Sequence, residues 1–233
     1  MTGTDGMRIR IVENGPYIVE GNVPLFEKAI TYDEDAGYAW RTVREIEHGP
    51  VYSLCRCGKT SDPPFCDGGA HKRFKGKEVA DRRPFDERCD IHEGPGIVLK
   101  DDMRCSMSRF CHRKAGTPWK LLDRSDDPTV LEEIVRGSLE CPSGRMLLVR
   151  PDGSIVDECP EPAIWIIQDP GKNVSGGIYV MGGIPIIGSD GFEYETRNRA
   201  VLCRCGRSRN MPFCDAIHIN GMYKDSRSRK DRD

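Results

Sequence analysis

Two short stretches of this chain gather the side chains that bind soft metals. The first runs Cys55-Arg56-Cys57-Gly58, then Pro64-Phe65-Cys66-Asp67, then His71. The second runs Cys203-Arg204-Cys205-Gly206, then Pro212-Phe213-Cys214-Asp215, then His218. In both, one residue separates the first two cysteines and eight separate the second from the third. Three thiolates and one imidazole drawn from a single loop make a metal site. The same cysteine spacing and the same flanking residues, met twice, carry more weight than one match could. A Cys3His set suits tetrahedral structural zinc. It also suits one [2Fe–2S] cluster, with two cysteines on one iron and a cysteine and a histidine on the other. Zinc sites more often space their paired ligands by two to four residues, so the Cys-x-Cys start leans towards iron and sulfide. The residues alone leave both readings open.

Extended structure must carry these loops. Ile9, Ile11, Tyr17, Ile18, Val19, Val23 and Leu25 recur between the turns Asn14-Gly15-Pro16 and Gly21-Asn22. Trp40 and Val43 mark a further strand, and Val51-Tyr52-Ser53-Leu54 runs straight into Cys55. The same order returns near the end. Tyr17 to Leu25 resembles Tyr179 to Ile186, and Val51 to Cys55 resembles Arg199 to Cys203. The repeat is therefore a whole unit: paired strands, a strand into the cysteine loop, and a short turn of helix that Asp67 or Asp215 should cap. A unit this small cannot bury a face alone, so the two copies should pack on each other.

The stretch between them is different. Asp127-Pro128 opens a helix, with Asp as N-cap and Pro in the first turn. Val130, Leu131, Ile134, Val135 and Leu139 give that helix an apolar stripe. Met146 to Val149, the turn Pro151-Asp152-Gly153 and Ile155-Val156 read as a hairpin, and Ala163 to Ile167 as a buried strand.

With 37% apolar and 31% charged residues, any core is lean, and a metal is one kind of staple for a lean domain. A net charge of −2 argues against a general nucleic-acid binder. No run approaches the roughly 18 apolar residues that span a membrane, and Met1 to Gly6 lacks a signal-peptide pattern. The expected location is the cytoplasm, where disulfides are rare, so 11 cysteines point to metal. Lys72, Arg73, Lys75 and Lys77 read as a solvated face, with a docking patch for an acidic partner as the sharper alternative. The charged tail 225–233 should be disordered. Neither Gly176-Gly177 nor Gly182-Gly183 belongs to a phosphate-binding fingerprint. No nucleophile–base pair accompanies a substrate motif, so the chain is not expected to be an enzyme.

Cys-x-Cys-x8-Cys-Asp-x2-His resembles the CDGSH iron–sulfur motif of the mitoNEET-like family. The second copy, from Arg197-Asn198-Arg199 to Cys214-Asp215-Ala216-Ile217-His218, is similar to that family's bacterial form. The resemblance implies a [2Fe–2S] cluster on Cys55, Cys57, Cys66 and His71, and another on Cys203, Cys205, Cys214 and His218. Both copies depart from the pattern. His71 stands one residue later than usual, behind Gly68-Gly69, while Ala216 and Ile217 replace a glycine and a small hydroxyl residue. A histidine ligand raises the potential. It also takes up a proton on reduction if its outer nitrogen reaches solvent. The first centre, with its displaced histidine, should be the more labile.

Cys105 and Cys111 have the outer spacing of a ferredoxin Cys-x2-Cys-x2-Cys run, with Ser108 at the centre and Cys141-Pro142 beyond a helix. From Cys105 to Leu148 the chain resembles the divergent mono-cluster ferredoxin domain found joined to CDGSH motifs. That implies a third cluster on Cys105, Cys111 and Cys141. It would be [3Fe–4S], or [4Fe–4S] if Cys159, Ser108 or Cys89 supplies a fourth ligand. Met103, Met107 and Phe110 should pack around it, Cys89 reads otherwise as a buried thiol, and His48, His92 and His112 have no ligand pattern. The expected fold class is α+β, mostly β. Two small β-rich CDGSH units, 7–85 and 169–224, form a pseudo-dimer around an inserted ferredoxin-like α/β segment, 86–168. The expected function is electron transfer to or from a redox partner. The alternatives are cluster transfer to an apo-acceptor with redox or pH sensing, and structural zinc. No nucleic acid or membrane partner is expected, and an internal pseudo-dimer should leave the chain a monomer.

Overall fold

Apolar and polar side chains alternate from Arg8 onward, and the first half of the chain forms short strands. The computed structural model describes residues 4–69 and 73–226. It begins with β1 (Arg8–Ile11), β2 (Tyr17–Glu20), β3 (Leu25–Asp33), β4 (Gly37–Glu45) and β5 (Val51–Leu54). A middle segment follows, with α1 (Phe85–Arg88), β6 (Asp90–Glu93), β7 (Val98–Asp101), α2 (Pro118–Leu121), α3 (Pro128–Leu139), β8 (Met146–Val149) and β9 (Ile155–Val156). The last part carries β10 (Ala163–Asp169), β11 (Val174–Met181), β12 (Ile186–Ile187), β13 (Glu193–Tyr194), β14 (Arg199–Leu202) and α4 (Ile217–Asn220). The protein is mostly β, as expected. Among the described residues no helix is long and apolar enough to cross a membrane. His71, Lys72 and the tail from 227 on lie outside the described residues.

Two five-stranded sheets follow one plan. Outward from the strand that enters a cysteine loop, the first runs β5-β2-β1-β12-β13 and the second β14-β11-β10-β3-β4. In each, the first three strands come from one copy of the repeat and the last two, a hairpin, from the other. The exchanged hairpins join through parallel pairings, β1 with β12 and β10 with β3. A three-stranded sheet alone would leave an open edge, and the borrowed hairpin covers it. Ile9, Val19 and Leu54 from the first half share one buried cluster with Ile164, Ile178 and Leu202 from the second.

The strand register corrects one sequence match. Tyr17 lies opposite Leu54, and Ile178 lies opposite Leu202. The counterpart of Tyr17 is therefore Ile178, not Tyr179. Matching tyrosine to tyrosine slips the repeat by one residue, which would turn every side chain to the other face. Tyr17 is buried, and its hydroxyl donates to the carbonyls of Cys203 (2.9 Å) and Pro212 (3.1 Å), so one copy holds the loop of the other.

The two cysteine loops touch. Cys57 and Cys205 form an antiparallel bridge. Gly58 (φ +71°) and Gly206 (φ +74°) follow them in the left-handed region. A Cβ on Gly58 would stand 2.6 Å from the Cys205 carbonyl oxygen, and one on Gly206 2.5 Å from that of Cys57. Only glycine accepts both the angle and the approach. Gly58→Ala is expected to cost about 2–3 kcal/mol in denaturant unfolding, from overpacking plus the left-handed angle. A loss below about 0.5 kcal/mol would mean the seam opens freely.

The middle segment lays α3 on the sheet β6-β7-β8-β9, around Leu99, Leu121, Ile134 and Leu148. Asp127 Oδ1 accepts from the backbone N–H groups of Thr129 (2.8 Å) and Val130 (3.4 Å), the expected cap. The segment is fastened to both copies. Arg88, in a buried ion pair with Asp102, also meets Glu195 of the second copy (3.6 Å), Arg109 reaches Asp169 through two hydrogen bonds (2.8 and 3.0 Å), and Phe110 stacks on Trp40 of the first copy's β4 with centroids 4.6 Å apart. Phe110 is buried as expected, but Met103 and Met107 are 63% and 44% exposed. Both methionines sit at positive φ in an irregular loop, which turns them outward.

Candidate metal centres

Each cysteine loop closes through the same backbone bonds. Cys55 N donates to Pro64 O (2.9 Å) and Cys66 N to Ser53 O (3.0 Å). In the second copy, Cys203 N donates to Pro212 O and Cys214 N to Val201 O, both 2.8 Å. A hydroxyl completes each loop, Thr60 on Phe65 O (2.8 Å) and Ser208 on Phe213 O (2.6 Å). The aspartate after the third cysteine ties the two limbs together rather than capping a helix in the usual position. Asp67 accepts from Ser61 N, Ser61 Oγ and Gly69 N, and the bonds from Ser61 hold its carboxyl well below the usual carboxylate range. Asp215 accepts from Arg209 N (2.9 Å) and Ile217 N (3.2 Å). The residue before α4 is Ala216, not Asp215.

The sulfur and nitrogen donors come in pairs. Cys55 and Cys57 have their Sγ atoms 3.4 Å apart, and Cys203 and Cys205 3.7 Å apart. Cys214 Sγ lies 3.4 Å from His218 Nδ1. These are the spacings of two ligands on one tetrahedral metal with metal–sulfur bonds of about 2.3 Å. Among the described residues no three such donors converge on a single ion position. Paired donors suit two irons bridged by sulfide better than one zinc.

Electrostatics favour thiolates at the inner end of each loop. The Cys57 thiol donates to Cys55, and the backbone N–H groups of Cys57, Gly58 and Thr60 add to it against the burial of the sulfur. Together they bring Cys55 down to about 5. Cys205 and the N–H groups of Ser208, Gly206 and Arg207 bring Cys203 to about 7 in the same way. Such a nest of N–H groups holds negative charge. Burial pushes the Cys214 thiol up, and burial with the Arg204 charge brings His218 down to about 4. His218 is therefore neutral at pH 7, the form that ligates a metal.

A family model described as iron-binding zinc finger, CDGSH type, matches residues 14–72 and 175–219. The chain carries two CDGSH units. No curated protein and no solved structure matches the chain.

The two CDGSH units differ in exposure. Cys66 is half-buried, whereas Cys214 and His218 are each 4% exposed. The middle segment covers the second unit, where Ser106 and Ser108, hydrogen-bonded to each other at 3.0 Å, line one small cavity with His218 and Asp169. The condition for proton uptake on reduction, an imidazole open to solvent, is therefore not met at the second CDGSH unit. Ala216 occupies the left-handed region at φ +65°, where the first unit has Gly68 at +73°. Its N–H donates to Cys214 Sγ at 3.5 Å. Ala216→Gly should raise stability by about 0.5–1 kcal/mol, the left-handed penalty of alanine less the added freedom of the unfolded chain. Denaturant midpoints test this, and a lower midpoint for the glycine variant would refute it.

The sequence motif passed over the arginine between each cysteine pair. Arg56 and Arg204 are 1% and 2% exposed. Arg56 donates to the carbonyls of Gly15 (2.6 Å), Val12 (2.7 Å) and Gly76 (3.1 Å). Arg204 donates to Gly176 O (3.1 Å), Ile167 O (3.0 Å) and Asp225 Oδ2 (2.7 Å). The repeated Cys-Arg-Cys was the available signal: an arginine fixed between two ligands has a job inside the loop.

Cys105, Cys111 and Cys141 lie near enough to influence one another's charge, without converging on one ion position. Cys111 is pushed up to about 12, first by burial and then by Cys141 and Cys105, and Cys141 is raised by burial and also by Cys105. Arg145, paired through two hydrogen bonds with buried Asp101, stands beside Cys105. Cys105 also faces Cys214 across a cleft of about 450 Å³ that Asp215 and Ala216 line as well. The candidate fourth ligands have these surroundings. Cys89 is half-buried near Asp86 and Lys100, Cys159 is exposed beside Pro160, and Ser108 bonds Ser106.

Proposed function

We propose that the chain is an electron-transfer protein with a [2Fe–2S] cluster in each CDGSH unit and a third cluster on Cys105, Cys111 and Cys141. A [2Fe–2S] cluster takes up and releases one electron at a time. The observation that carries the reading is the continuity of the three donor sets. Cys57 bridges to Cys205 in the seam, and Cys214, at the far end of the second set, shares a cleft with Cys105. The strand exchange and the reciprocal glycine contacts support an internal pseudo-dimer, which holds the first two sets at a fixed separation. The Cys55, Cys57 and Cys66 thiols hold the first cluster with His71. Those of Cys203, Cys205 and Cys214 hold the second with the neutral His218. Arg145 offsets negative charge at the third set.

Three cysteines with serine at the central position of the run favour [3Fe–4S] at the third site. Anaerobic iron and sulfide analysis with EPR should give about seven irons and about eight sulfides per chain, with a [3Fe–4S] signal in the oxidised protein. Zinc without sulfide would overturn the reading. Four irons and four sulfides would leave only the two CDGSH clusters.

Cluster transfer is the second reading, and the half-buried Cys66 favours it for the first unit alone. Incubation with an apo-ferredoxin separates the two. Transfer slower than spontaneous cluster loss counts against this second reading.

A further inference from the structure

The basic run after the first cysteine loop does not simply face water. Arg73 and Lys75 line a cleft of about 620 Å³ together with Lys59, Arg207 and Lys224. Its floor is Cys57-Gly58 from one unit and Cys205-Gly206 from the other, the two loops of the seam. Its two walls correspond. Lys59 and Arg207 follow the Cys-Gly pair in their respective loops. Phe74 lies under the Arg56 guanidinium (5.3 Å) as Tyr223 lies under that of Arg204 (5.7 Å), and Lys75 and Lys224 come directly after these rings.

Five cationic side chains line the cleft, and no carboxylate among the described residues does. Arg207 rests one nitrogen on Gly221 O (3.0 Å), and Lys224 reaches Asn173. Like charges crowded into one concavity repel one another, and a ligand of several negative charges relieves that repulsion. The net charge of the chain is −2, so the concentration of cations is local. The volume falls within the roughly 300–1,000 Å³ of small-molecule sites. A stable protein partner would instead need a face of roughly 800 Å², whereas these cations converge on a hollow.

We infer that this cleft binds an oligophosphate anion, held between Lys59 and Lys75 of one unit and Arg207 and Lys224 of the other. Guanidinium matches phosphate oxygens in a fork, and ammonium groups meet them as point charges. The inference concerns binding alone and stands whether or not the clusters carry electrons.

The test is titration of the cluster-loaded protein with inorganic tripolyphosphate at low salt, followed by calorimetry. One-to-one saturable binding is expected. The double variant Lys59→Glu/Arg207→Glu should weaken it by about tenfold or more, and Lys59→Arg/Arg207→Lys should keep it within about threefold, since charge and not shape is retained. Visible absorbance reports whether each variant keeps its clusters. If the charge-reversed pair does not, Lys75→Gln, farther along the chain from the cysteines, should still weaken binding by about threefold. A nucleoside triphosphate run in parallel identifies the source. Equal affinity assigns the cleft to free oligophosphate, and affinity about tenfold higher assigns it to a nucleotide. The inference fails if neither anion saturates, if charge reversal leaves the affinity unchanged, or if only an acidic polypeptide such as polyglutamate binds.

Discussion

Arg204→Ala is expected to destabilise the protein by about 3–5 kcal/mol and to empty the second CDGSH centre, because it breaks a buried ion pair from one side. Arg204 and Asp225 have side chains 1% and 3% exposed. The guanidinium also satisfies Gly176 O and Ile167 O, which lie on the two strands behind the cysteine loop. Alanine would leave both carbonyls buried without this donor and would take from Asp225 its buried guanidinium partner, one of several. A void would open beneath Tyr223, whose ring packs against the guanidinium and whose N–H donates to His218 O at 2.9 Å. The disturbance therefore reaches the ligand through one residue. Lysine keeps the charge but not the planar fork that reaches three separate acceptors, so Arg204→Lys should fall between wild type and alanine. Arg56→Ala should cost less than Arg204→Ala, since its three partners are carbonyls and no charge is stranded. Urea unfolding together with iron and sulfide content per chain checks the series. If Arg204→Ala keeps both centres and loses under about 1 kcal/mol, the arginine is not what holds the loop.

The contrast between the arginines shows what could be read from the residues. Cys-Arg-Cys-Gly and Pro-Phe-Cys-Asp fixed the loop and its donors, because a metal needs particular atoms at particular separations. Asp127-Pro128 fixed the start of α3, because a cap needs only neighbours in sequence. Each cysteine pair encloses an arginine in the sequence, but the partners of these arginines lie far from them along the chain. Gly176, Ile167 and Asp225 come from three separate stretches, and only folding brings them to one guanidinium. The exchanged hairpins were hidden for the same reason. β1 with β12 and β3 with β10 are pairings across more than half the chain, and no local pattern specifies them. The Tyr17–Tyr179 match failed because residue identity outweighed register. Met103 and Met107 misled because side-chain type suggested burial, whereas their backbone turns them to solvent. The approach of Cys105 to Cys214 followed from none of the cysteine spacings, since it depends on how the middle segment docks.

That docking gives the two CDGSH units different responses to acid. A cluster held by histidine is released when the imidazole takes up a proton. At His218 burial opposes this, and the Arg204 charge adds to the opposition, so the folded-state value is about 4, below the usual 6.5. The sign follows from linkage. Between 6.5 and 4 the unfolded chain binds the proton and the folded chain does not, so stability is full above 6.5 and falls as pH drops towards 4. Over that window the loss is about 3 kcal/mol at most. By the same reasoning a metal held by His218 should survive pH 5, where an ordinary exposed imidazole is already protonated. Access matters as well. Ser106, Ser108 and Asp169 close over His218, while Cys66 of the first unit is half-buried and Asp67 beside it is exposed. Single-site proteins separate the two units. Cys66→Ser should keep the second cluster and Cys214→Ser the first. At pH 5 the visible absorbance of the Cys214→Ser protein should decay about tenfold faster, or more, than that of the Cys66→Ser protein. Ser106→Gly/Ser108→Gly in the Cys66→Ser background removes the cover without touching a ligand, and it should bring the two rates together. Equal decay of the two single-site proteins at pH 5 would show that the middle segment does not shield His218.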